Sequence, residues 1–577
     1  MKKGLIIAGL ASASVAGYML LQQPKPVENN YNPLDYIPAD SAIFSAQLEP
    51  FPIKSYLLSA PNLGVSEDPA SIEELRDAND KRINFFLEIT EQYDAALKDA
   101  DLFVNTFGLA DNIRAYFYTI GLLPVLKIEV EKPQAIWDLL DKAEQKSGYS
   151  HQQEKIENTQ YRSYLLTDDT DTEKIEMIIA HDNGLLTVTF NSSFNTPELL
   201  SSALGLSKAN NPISSSGILQ EITEKHDFNG QSISYLNHQQ IVTGLTTDDG
   251  NKLATQLTSY IKQSGRENPF AILKTPQCAA ELTSIANNWP RTVFGYTDVT
   301  ISDKQSDLSV SAVVESNNKV ILDALQSIRG HIPKYSMDID NNVFAVALGL
   351  DVNQLPAAAT AIITDLQTPT FQCVPLQEMQ ANFASQVQTS VGVLGMVSGM
   401  ANGLKGFSFA LLDYTMTKKS GQASLESADA LFAYSADNPM MLFNSLKMFS
   451  PELQQVELKA DGSAVDLSSS IGLPPSLPLK PKMAIKGNHL VIYSGSKSEQ
   501  QANDLSNEAI TKNGLLNFTF DFSKLLAPLI TATELSGETF PEEALFLKDY
   551  NTRMKLLLDV NDKGITISSQ VKNSSEK

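Results

Sequence analysis

Cysteine, tryptophan and basic charge are all scarce in this chain. Its 577 residues include two cysteines, two tryptophans and 44 Lys+Arg against 67 Asp+Glu, for a formal net charge of −23. Nucleic-acid binding needs a basic footprint, so this balance argues against a nucleic-acid partner, and it disfavours broad docking on anionic lipid. With Cys278 and Cys373 the only cysteines, and no His or second Cys at ligand spacing, a thiolate metal centre has no basis. The nucleotide, zinc-protease and thioredoxin signatures are missing too: there is no G-x-x-x-x-G-K-[ST], G-x-G-x-x-G, H-E-x-x-H or C-x-x-C. Charged residues make up only 19%, against about 25% in an average domain, and Ser, Thr, Asn and Gln fill the polar surface instead. At 42% hydrophobic, the chain can nevertheless build cores, and its length suggests about three to four domains.

One run near the start is apolar enough to matter for location. Lys2 and Lys3 precede the uncharged stretch Gly4 to Leu21, at the short end of what spans a bilayer. The positive flank stays in the cytoplasm, so the rest of the chain is expected on the far side. Residues 1–22 read as a signal anchor, because Tyr18 to Leu21 stay apolar past the A-x-A-like sites at 11–13 and 14–16. Cleavage at one of those sites is the alternative, and it would leave a soluble periplasmic protein. Residues 23–35, with Pro24, Pro26 and Pro33, read as a linker. The expected location is a bacterial inner membrane, crossed once through residues 4–21, with the large C-terminal part in the periplasm. An oxidising compartment makes a Cys278–Cys373 disulfide plausible across 95 residues.

Self-similarity organises the remainder. Four segments read as a strand running into a helix start: Ala42–Glu49, Ser232–Asn237, Val343–Asp351 and Leu516–Asp521. In each, an apolar residue precedes Glu49, Asn237, Asp351 or Asp521. Asn and Asp are good N-caps; Glu is poorer. Helical stretches and alternating strands follow, and hairpins close on His181–Gly184 and on Gly487–His489. The reading is a duplication: a first half at 36–335 (long unit 36–210, short unit 211–335) and a second at 336–577 (336–512 and 513–577). The fold class is α+β, with duplicated antiparallel-sheet units and helices packed on one face.

The opening Tyr36-Ile-Pro-Ala-Asp-Ser41, just after an anchor and spacer, resembles uncharacterised exported bacterial proteins whose repeated units begin on a "Pro-Ala-Asp-Ser/Thr" strand. The hairpin-plus-helix extensions at 176–205 and 482–510 are similar as well. The resemblance implies export and an α+β repeat, and it carries over no site residue.

The chemical candidates each have a plainer reading. Gly406-Phe-Ser408-Phe-Ala410 is close to a nucleophile elbow, but Phe407, Phe409 and Leu411 alternate straight through it as a strand. Ser494-Gly-Ser-Lys497 matches S-x-x-K without its companion motifs. The six histidines are not paired at ligand spacing, and Asp168 to Glu173 reads as a solvated acidic loop. Gly395, Gly399 and Gly403 repeat at four-residue spacing, which reads as tight helix packing inside the protein. No catalytic, metal or cofactor-binding residue is assigned. The expected function is a non-enzymatic envelope protein that binds or organises other envelope components. The alternatives are a periplasmic carrier or sensor of an apolar ligand, and an envelope hydrolase without a recognisable motif.

Overall fold

The computed structural model describes residues 31–60, 76, 80–168, 170–171, 173–419, 422–470, 472, 477–536 and 551–575. The segment 4–21 lies outside them, as does the first part of the linker. Among the described residues no helix is long and apolar enough to cross a membrane. Contacts divide the chain into two compact units, one ending at Glu315 and the other beginning at Ser316.

The first unit contains β1 (Ile43–Phe51), α1 (Ile53–Ser59), α2 (Lys81–Ala96), α3 (Ala100–Thr106), β2 (Ile113–Ile120), β3 (Leu123–Glu129) and α4 (Pro133–Ser147). It continues with β4 (Gln152–Ile156), β5 (Thr159–Leu165), β6 (Ile175–Asp182), β7 (Leu185–Ser192), α5 (Pro197–Leu204), α6 (Ile218–His226) and β8 (Ser232–Asn237). It ends with α7 (His238–Thr246), α8 (Lys252–Ser264), α9 (Pro276–Asn288), β9 (Arg291–Ile301) and β10 (Gln305–Glu315). Its sheet runs β4-β5-β6-β7-β3-β2-β1-β8-β9-β10, antiparallel throughout.

The second unit opens on α10 (Lys319–Ser327), then β11 (Phe344–Gly349), α11 (Leu355–Gln367), α12 (Val374–Met400), β12 (Leu404–Lys419), β13 (Gln422–Ala436) and α13 (Pro439–Lys447). There follow β14 (Val465–Asp466), β15 (Lys482–Lys486), β16 (His489–Ser494), α14 (Ser496–Asp504), β17 (Leu516–Asp521), α15 (Phe522–Ser536), β18 (Thr552–Asn561) and β19 (Gly564–Ser574). Its sheet runs β14-β15-β16-β13-β12-β11-β17-β18-β19, again antiparallel. Strand for strand, β6-β7-β3-β2-β1-β8-β9-β10 and β15-β16-β13-β12-β11-β17-β18-β19 follow one path. The molecule is therefore a mixed α and β structure built on antiparallel sheet. The sequence reading placed Lys319–Ser327 in the first half, but this helix belongs with the second unit. Just beyond it, Arg329 is paired with Asp559 at 2.7 Å and Gly330 bridges to Gly514.

Local signals account for the element ends. The Asn237 side chain accepts from the amide of Gln240, and that of Asp521 from the amide of Lys524, so both cap the helices that follow their strands. Glu49, the poor cap, does not end its strand, which bulges and runs on to Phe51. The β6–β7 hairpin turns on Asn183 and Gly184, both at positive φ, the geometry a two-residue hairpin loop requires.

The expectation of helices on one sheet face is corrected. Successive strand residues point to opposite faces, and in the first unit both sets are buried. Ile113, Ala115, Ile128, Met177, Ile179 and Leu186 pack under α2, α3 and α4. Phe44, Ala46, Tyr116, Tyr118, Ile233 and Tyr235 form a separate core with Ala203 of α5 and Ile222 of α6. The second unit repeats this arrangement, with Ala345, Ala410, Leu431, Ala433 and Val491 under α14 and Phe443 of α13 on Met483, Ile485 and Leu490. The cause lies in β2, β3, β6 and β7, which carry apolar residues on both sides and so need cover on both.

Cys278 in α9 and Cys373, the residue before α12, are buried and joined in a disulfide.

Candidate functional site

On the second unit's sheet, one face stays half-open. The register sets Phe344, Val346 and Leu348 of β11 beside Leu411, Phe409 and Phe407 of β12, and beside Phe520, Phe518 and Leu516 of β17. One strand further out lie Ala430, Phe432 and Tyr434 of β13, and Met554, Leu556 and Leu558 of β18. Fifteen side chains from five strands thus share one face, and none is charged. The rings touch: Phe409–Phe432 centroids are 4.5 Å apart, Phe344–Phe518 5.2 Å and Phe407–Tyr434 5.3 Å. The core around α13 takes up the Tyr434 end of this strip. Leu348 is 42% exposed and Phe432 38%, although burying such a side chain is worth roughly 1.5–3 kcal/mol. Contiguous apolar surface left open in this way is uncommon on a folded chain.

The first unit differs at the matching positions. There Ser45 and Ser234 replace Val346 and Phe518, and their hydroxyls bond each other at 2.7 Å. The continuous aromatic strip belongs to the second unit alone, so the shared strand order does not demand it.

The other face of the first unit holds a buried cation. Lys127 on β3 is 1% exposed, and its Nζ donates to Thr187 Oγ1 at 2.8 Å and to the carbonyl of Leu204, at the end of α5, at 3.1 Å. Burial pushes its ammonium down to about 7, with Asp182 opposing only in part. At the matching positions the second unit has Ala433 opposite Val491. A folded-state value below the ordinary one means that the unfolded chain binds the extra proton between pH 7 and about 10.4. Wild-type stability should therefore rise by on the order of 3 kcal/mol over that window, and Lys127→Met should remove this component. Urea melts of both proteins at pH 6.5 and pH 9.5 check this; parallel shifts would refute it.

Elsewhere, the chemical candidates fall into structural roles. Ser408 is fully buried within β12 and bonded to the Tyr335 hydroxyl at 2.7 Å. Lys497 Nζ points to Asp413, not to Ser494. Asp168 pairs with Arg82, and Glu173 accepts from Ser192; Asp169 lies outside the described residues. Among the described residues no group of three or more His, Cys, Asp or Glu is placed to hold a metal ion. Among the described residues nothing packs closely against Gly395 or Gly399, and Gly403 meets only Asp437 at ordinary contact distance, so the expectation of tight internal packing at these glycines is corrected.

Among the described residues five histidines meet acids or hydroxyls, two of them being His151, with Glu144 at 2.7 Å, and His238, with the Thr292 hydroxyl at 3.2 Å. His226 contacts Glu315 at 2.6 Å, beside Arg291. His489 Nδ1 accepts from Ser435 Oγ at 2.9 Å, and its Nε2 donates to the Glu508 carbonyl at 3.2 Å. The carboxylate of Glu508 faces His331 instead, at 3.5 Å. A serine nucleophile needs an oriented base and an open approach; Ser435 is 1% exposed and its histidine has no carboxylate behind it. Ser435 and His489 therefore form no hydrolytic triad. No protein family, curated protein or solved structure matches the chain.

Sequence reasoning missed the aromatic strip. The alternating Phe407-x-Phe409 and Phe518-x-Phe520 were visible, but only the strand order brings them to one face.

Proposed function

We propose that this is a non-enzymatic envelope protein, tethered to the inner membrane through residues 4–21, which holds the acyl chain of a lipid on the aromatic strip of its periplasmic body. The observation that carries the reading is the half-open, charge-free face spanning Phe344, Phe409, Phe432 and Phe518. A hydrocarbon chain fits it because the face offers apolar area and ring faces but no charge to pair an ionic group. The polar counterpart in the first unit favours a dedicated surface over a by-product of the fold. The resemblance to exported repeat proteins supports the location.

The test places a photoreactive phenylalanine analogue at Leu348 of the full chain in cells, and another at Phe449, which is 60% exposed and off the strip. The expected product is a lipid-mass adduct at position 348 and none at 449. Phe409→Ser with Phe432→Ser should reduce that adduct at least tenfold, since each aromatic contributes roughly 1.5–3 kcal/mol. Adducts of equal yield at both positions, or protein-only adducts at 348, would sink the reading.

A further inference from the structure

We propose that His331, packed against His489, forms an acid-sensitive latch that holds the segment 505–514 against the second unit and releases it when the His331 ring takes a second proton. This inference is independent of what the aromatic strip binds.

The geometry fixes the protonation states. His331 and His489 are 1% and 0% exposed, with ring centroids 5.5 Å apart. His331 Nδ1 accepts from the backbone N–H of Thr511 at 3.2 Å, so its proton sits on Nε2. Among the described residues no hydrogen bond satisfies that buried Nε2, and the Glu508 carboxylate stands 3.5 Å from it. His489 donates from Nε2 to the Glu508 carbonyl and accepts at Nδ1 from Ser435. Each ring is thus a neutral imidazole locked in one tautomer, and both grip the connection between α14 and β17. A second proton on His331 must land on Nδ1, where it meets the Thr511 N–H head-on and breaks the bond to that segment. On His489 the Ser435 hydroxyl can turn to accept, but the ring then carries charge beside His331 in a dry core.

The surrounding charges do not cancel this cost. The Glu508 carboxylate, 3.5 Å from His331, favours protonation, yet it also accepts from the amide of Lys334. Lys405 of β12, whose carbonyl accepts the His331 amide, carries an ammonium held by Asp351 and Asp437. Lys512 donates to the Ser327 carbonyl, and Arg329 is taken by Asp559. Burial, and for His489 the neighbouring ring as well, holds both imidazoles below the ordinary histidine range. A histidine lowered in the folded state loses stability as pH falls from about 6.5 toward its folded value, because the unfolded chain protonates first.

The test uses the full chain with its six histidines labelled at ring Cε1, assigned through His331→Gln and His489→Asn. In wild type the two assigned resonances should show no titration from pH 8 to pH 6. Below that, exchange protection of the Thr511 amide, corrected for intrinsic rate, should fall at least tenfold by pH 5. Gln at 331 still offers an oxygen to Thr511 and cannot titrate, so His331→Gln should keep most of its protection at pH 5. If either ring titrates at or above 6.5 in wild type, or if wild type and His331→Gln lose Thr511 protection equally, the latch does not exist.

Discussion

Reducing the Cys278–Cys373 bond should lower the stability of the folded chain by about 4–5 kcal/mol. The cysteines lie 95 residues apart, and in the chain-entropy model a closed loop of about 100 residues removes that much free energy from the unfolded ensemble. Both sulfurs are buried, so the bond should resist mild reductant until the protein opens. Denaturant melts of wild type and of Cys278→Ser with Cys373→Ser would measure the effect, with a midpoint lowered in the variant at an unchanged or slightly larger slope. The same midpoint in both would mean that the loop is already ordered in the unfolded chain.

Removing the carboxylate of Glu315 should cost about as much, roughly 3–5 kcal/mol. Glu315 is 1% exposed, and it accepts from His226 at 2.6 Å, from Arg291 at 2.6 Å and from Lys225 at 3.1 Å. Burial alone would push this carboxyl up, but the hydrogen bonds from His226 and Arg291 outweigh it and hold the group down at about 2. Glu315→Ala leaves a buried guanidinium and a ring facing a void. The sign of the pH dependence follows from the depressed value. The stabilisation is complete above the unfolded carboxylate range near 4.3 and fades as pH drops toward about 2, amounting to about 3 kcal/mol in all. Glu315→Gln keeps the shape and cannot ionise, so its deficit against wild type should shrink between pH 7 and pH 3. A deficit that stays constant over that range would show that shape, not charge, is what Glu315 contributes.

Much of the fold was legible because it is written in local chemistry. The strand-to-cap signatures at Asn237 and Asp521 mark real strand ends followed by capped helices. Asn183-Gly184 and Gly487 fix their hairpins through positive φ. Cys278 and Cys373, expected to pair in an oxidising compartment, are joined in a disulfide. What was not legible depends on partners far away in sequence. Whether helices cover one face or two depends on which apolar residues strand order brings together on each side of the sheet. The aromatic strip likewise needs β12, β11 and β17 side by side, although 167 residues separate Phe344 from Thr511 at the approach to β17. The glycines of α12 failed for a related reason: four-residue spacing permits close packing but does not decide whether that face of the helix meets its neighbour α11.

The strand order has a further consequence, for how fast the chain can fold. In each unit the central strand pairs with one that emerges much later: Ile43 lies beside Leu236, and Phe344 beside Phe520. Neither sheet can close around its centre until most of its unit has been synthesised. Such high contact order slows folding, because loop-closure entropy is lost before the pairing repays it. During synthesis β1 waits while about 190 residues of later chain appear. On the export proposed above, that delay would leave the polypeptide open while it is threaded through a translocation channel.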